Sequence, residues 1–121
     1  MYHPVRVKQV IKHLPMFKES ITTASNVLNS WGFDIFCAEL EKHVEYSHME
    51  LNSEHHVKHC NFPGAPARRF FDRCGCPKRV SFMVQCRHDL KVSSGVFCVE
   101  KFDGRWMSED HIEAAATETG K

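Results

Sequence analysis

The stretch from His55 to Cys98 limits what this chain can fold into more than any other. It reads His55-His56-Val57-Lys58-His59-Cys60, then Cys74-Gly75-Cys76-Pro77, then Cys86-Arg87-His88, then Cys98. Five of the six cysteines and four of the nine histidines fall inside it, so the fold must bury these side chains, oxidise them or use them together. Length narrows the choice. A chain of 121 residues, 42% of them hydrophobic, can build a core of ordinary size without staples. A cysteine cluster here therefore serves a core-poor segment or a function.

Met1 to Leu14 alternates charged and apolar residues with no continuous apolar run, and no segment approaches the roughly 20 apolar residues of a membrane span. The chain is thus expected to be soluble and intracellular, in cytoplasm or nucleus, where thiols stay reduced and clustered Cys and His act as metal ligands. A structural zinc takes four such ligands in a tetrahedron, usually as two close pairs. Cys74 and Cys76 form one pair. His56 and Cys60 form the second if a helix runs through them, because four residues then make about one turn. His55, His59, Cys86, His88 and Cys98 are alternatives, and Cys86-Arg87-His88 with Cys98 can replace either pair. Cys37 lies on an inferred apolar face and reads as core.

The net charge of +1 conceals a segregation. From Lys58 to Lys91 there are eight basic residues against two acidic ones, a local balance of +6, while both flanks are net acidic. That asymmetry points to an anionic partner for the middle of the chain. Arg68, Arg69, Arg73, Lys78, Arg79 and Arg87 are the candidate nucleic-acid contacts, interleaved with Phe70 and Phe71. Cations neutralise phosphates, and exposed aromatics stack on unpaired bases; buried under the metal site, the same two phenylalanines would be core. The leading expectation is a zinc-stabilised regulatory protein that binds DNA or RNA, such as a transcription regulator. The alternative is an adaptor or inhibitor that docks on a protein, with zinc holding a loop in shape. No nucleophile elbow, phosphate-binding loop, dinucleotide fingerprint or metalloprotease motif is present, so neither catalysis nor a small-molecule substrate is expected, a metal-dependent nuclease being the least implausible enzyme.

The periodicities predict a single α+β domain: about three helices, then a small antiparallel β meander, joined by a Cys/His metal-binding junction. Val7, Val10, Ile11 and Leu14 mark the first helix, which Pro15 ends. Phe17 to Trp31 marks a second, stopped at Gly32. Asp34 caps a third, with Cys37, Leu40, Val44, Ser47 and Leu51 inward and Glu39, Glu41, Lys42, Glu45 and Glu50 outward. The helical half is placed at about 1–59 and the junction and β half at about 60–112. Strands are expected over 79–86 and 96–102, with a hairpin at Asp103-Gly104 leading into a third, and a frayed tail over 113–121.

Overall fold

The computed structural model describes residues 4–62 and 64–111, so the expected frayed tail lies outside the described residues. Helices α1 (Pro4–His13), α2 (Lys18–Val27) and α3 (Ser30–His43) come first. Strands β1 (Tyr46–Leu51), β2 (Glu54–His59) and β3 (Arg68–Phe70) follow as one antiparallel sheet in the order β1-β2-β3. A π-helical turn over Lys78–Phe82 and a short helix α4 (Arg87–Val92) complete the frame. The predicted class, helices followed by a small antiparallel sheet beside a Cys/His cluster, is the observed one. The strands, however, lie at 46–51, 54–59 and 68–70, well before the expected 79–86 and 96–102.

Two buried clusters explain the layout. In the larger, Val7, Val10, Ile21, Leu28, Phe33, Phe36, Cys37 and Leu40 from the three helices pack with Val84, Leu90 and Phe102. The smaller holds only Val57 and Phe70 of the sheet with Cys74, Cys76 and Cys86, plus Tyr46 and Val92 at its margin. Helix α4 spans both, through Leu90 in the first and Cys86 at its N-terminus in the second. With so little hydrocarbon beneath it, the sheet depends on what the cysteines do.

Several boundaries differ from expectation for identifiable reasons. The second helix stops at Val27 rather than at Gly32: Leu28 is extended, and Asn29, not Asp34, caps α3 by accepting a hydrogen bond from the Gly32 N–H at 2.8 Å. Asn29 also donates to the Arg105 carbonyl, at 2.8 Å, which anchors the C-terminal segment at the α2–α3 junction. Gly32 serves that close approach, since a Cβ there would lie 2.6 Å from the Trp106 carbonyl oxygen. Helix α3 ends at His43, so Ser47 and Leu51 belong to β1, and Glu39, expected outside, is buried. Asn52 and Ser53, both at positive φ, make the tight turn that twists β1 into β2.

The alternation over 79–86 does not make a strand. Cys76 and Cys86 approach each other, whereas an extended run at about 3.3 Å per residue would carry them apart. The chain coils after Pro77, turns at Met83 with φ 59°, and leaves Val80 and Phe82 exposed while Val84 and Cys86 are buried. The segment 96–102 is likewise irregular, apart from a 3₁₀ turn at Val99–Lys101. Buried Gln85 stands in for strand pairing: its amide donates to the Val96 carbonyl and accepts from the Cys98 N–H, each at 2.9 Å. Asp103-Gly104 opens a 3₁₀ turn, not a hairpin.

Buried His43 gives this fold a pH dependence. Its Nδ1 donates to the Leu40 carbonyl and its ring meets Phe17 edge-on, and burial holds its pKa below the usual 6.5. The unfolded chain therefore binds this proton more readily. Stability supplied by neutral His43 is complete above about pH 6.5 and falls as the pH drops through the lower folded-state value. Denaturant titrations between neutral and mildly acidic pH should show a shallower acid loss in His43→Leu than in the parent. Equal slopes would mean that His43 is not the titrating group.

Candidate metal centre

Four side chains converge beneath the sheet. The Sγ atoms of Cys74, Cys76 and Cys86 and a ring nitrogen of His88 all lie within 4.8 Å of one another. The three cysteines are buried and His88 is half-buried. Cys74 and Cys76 arrive on the irregular chain after β3, while Cys86 and His88 come from the first turn of α4. His88 presents Nδ1, 3.6 Å from Cys74 Sγ, and Tyr46 packs edge-on against its ring at 5.2 Å between centroids. Cys86 caps α4 by accepting the Asp89 N–H, at 3.4 Å, a contact that favours thiolate.

Electrostatics among the sulfurs are lopsided. The Cys76 thiol is pushed far down, chiefly by hydrogen bonding from Cys74 and then from Cys86. Cys74 is raised to about 11, first by its bond to Cys76, and Cys86 is pushed far up by Cys74, Cys76 and burial. One thiolate is thus tolerated and further ones resisted until a cation compensates them. Three sulfurs and one imidazole nitrogen at this spacing are a donor set that can hold a metal ion.

Cys74 and Cys76 are therefore brought together with Cys86 and His88, and His56 and Cys60 are not in the group. The expected helix through His56 and Cys60 is strand β2 and its end, where four residues span about 13 Å and cannot share one ion. His56 points to Glu54 at 3.1 Å, and Cys60 is exposed. His55 contacts His48 at 3.0 Å, His59 pairs with Glu45 at 2.9 Å, and half-buried Cys98 is tied to Gln85 through its backbone. The sequence signal for the observed quartet is its symmetry. Cys-x-Cys and Cys-x-His repeat the same one-residue spacing, and both pairs flank Pro77 and a reversing segment.

The basic residues divide in two. Arg87 is a structural partner: its backbone N–H, Nε and Nη2 all donate to the Glu39 carboxylate, at 2.9, 3.2 and 2.9 Å. That bonding raises the Arg87 pKa. Arg79, with a side chain only 11% exposed, lies 3.1 Å from buried Asp89, which Lys101 also approaches at 3.5 Å. Lys78 lies over the Phe82 ring at 4.5 Å. By contrast, Lys58, Arg68, Arg69 and Arg73 are exposed, and among them only Arg69 makes an ion pair, at 3.6 Å to Glu54, among the described residues.

No family model, curated protein or solved structure matches this chain. Among the described residues no helix is long and apolar enough to cross a membrane.

Proposed function

We propose that this chain is a zinc-organised nucleic-acid-binding module, with a structural zinc held by Cys74, Cys76, Cys86 and His88 and a basic edge made by Lys58, Arg68, Arg69 and Arg73. A zinc tetrahedron with Zn–S near 2.3 Å and Zn–N near 2.0 Å separates sulfur from nitrogen by about 3.5 Å. The 3.6 Å between Cys74 and His88 agrees with that spacing. Charge agrees as well. A dication with three thiolates leaves one net negative charge, Asp89 and Glu39 add two, and Arg79, Arg87 and Lys101 supply three cations against them.

Nucleic-acid binding rests on one contrast. Buried carboxylates engage Arg79 and Arg87, whereas Lys58, Arg68 and Arg73 make no ion pair among the described residues and lie along the segment leading from β2 through β3 to Cys74. Cations left free on a surface are available to phosphates. In a mobility-shift titration at low salt, the zinc-loaded chain should bind a random-sequence oligonucleotide. Changing Arg68, Arg69 and Arg73 to glutamate should weaken it and flatten the salt dependence by about one unit of slope per lost phosphate contact. Absence of binding at low salt, or an unaffected triple variant, would reject the reading.

A protein-docking role is the second reading, favoured by Val80, Phe82 and Met83, exposed on the turn between Cys76 and Cys86. Recovery of one stoichiometric protein partner, insensitive to nuclease and lost in Val80→Asp, would favour it over the first.

A further inference from the structure

Of the neighbouring phenylalanines expected to share one fate, Phe70 turns inward onto the cysteine cluster and Phe71 stands 59% exposed. Phe62, in the loop between β2 and β3, is 62% exposed, and its ring meets the His59 ring at 4.7 Å between centroids. Both flank the same strand. Val57 pairs with Arg68, so the β2 end and the Phe62 loop lie at the start of β3, while Phe71 directly follows its last residue. Strand β3 is also an outer strand of the sheet, with its far edge unpaired among the described residues.

Short, charged outer strands discourage sheets from pairing edge to edge, and that alone would account for Arg68 and Arg69. It does not account for two exposed phenyl rings, since each forgoes the stabilisation that burial would give it. Rings beside exposed cations match the pattern of proteins that grip unpaired nucleic acid, where cations follow the backbone and aromatics stack on bases. A duplex keeps its bases stacked inside and offers phenyl rings on a strand edge little to stack on. Asp72 is exposed between Phe71 and Arg73 and opposes phosphate locally, so the contact path favours the Arg68–Arg69 side.

Resting on the nucleic-acid reading above, we infer that the β3 edge binds single strands, with Phe62 and Phe71 stacking on bases and Lys58, Arg68 and Arg69 contacting phosphates. The test is fluorescence anisotropy of the full, zinc-loaded chain against a labelled oligonucleotide of roughly 16 residues, as single-stranded DNA, single-stranded RNA and duplex DNA. Either single strand should bind more tightly than the duplex. Phe62→Ala and Phe71→Ala should each weaken single-strand binding roughly 5- to 100-fold and leave duplex binding unchanged. Retained zinc content in each variant excludes misfolding as the cause. Duplex binding equal to or tighter than single-strand binding, or phenylalanine variants without effect, would overturn the single-strand inference and leave nucleic-acid binding standing. No binding to any of the three probes would overturn both.

Discussion

Cys86→Ser and His88→Ala are each expected to abolish stoichiometric zinc in protein purified under reducing conditions, whereas Cys60→Ser and His56→Ala should retain one ion per chain. Elemental analysis reads this directly. The expected consequence for structure is as large as for metal content, because structural zinc sites supply about 10–16 kcal/mol of apparent binding energy in small peptides. The smaller core offers only Val57 and Phe70 as full hydrocarbon replacements. Chelation should therefore expose the amides of β1, β2 and β3 to hydrogen exchange while α1, α2 and α3, packed in the larger cluster, stay protected. Zinc lost with Cys60 or kept without Cys86 would refute the quartet, and a sheet that stays protected after chelation would refute the structural role.

The second large effect is expected from Glu39→Ala. This carboxylate is 2% exposed and accepts all three Arg87 hydrogen bonds, one of them from the backbone between two metal-capable residues. Removing one member of a buried pair costs about 3–5 kcal/mol, because the remaining charge loses its partner. For a chain of this size that is a fall in Tm on the order of 10 °C. Zinc affinity should fall as well, roughly 10- to 100-fold, as is typical when a group that orients metal ligands is lost. Glu39→Ala with Arg87→Met should recover part of the stability, since no unpaired charge then remains. A loss below about 1 kcal/mol would place this pair with solvent-exposed ion pairs instead.

What could be read from the sequence follows physical lines. Val7, Val10 and Leu40 were legible because helical spacing and burial coincide. Strands β1 and β2 were hidden, since Met49, Glu50, Leu51 and Lys58 favour helix and Val57 is their one β-branched residue. Only tertiary packing of Val57 onto the cysteines selects the extended form. Local composition cannot carry that information. For the metal centre, Cys74 and Cys76 are legible as a close pair, whereas pairing His56 with Cys60 requires a helix where the chain forms β2. The approach of the ligands is made by the turn between Cys76 and Cys86, a segment whose alternation reads as a strand. Arg87 looked like a surface cation because its partner, Glu39, lies 48 residues away.

Helix α4 belongs to both buried clusters, and this makes metal affinity a gauge of the helical core. It supplies Cys86 and His88 to one end and Leu90 to the other, so the two donors are pre-positioned only while Leu90 is seated among the helices. Coupling of this kind is reciprocal. A cavity cut at Leu90, one helical turn beyond Cys86, should loosen the grip on the ion, and the bound ion should in turn make helices it never touches harder to unfold.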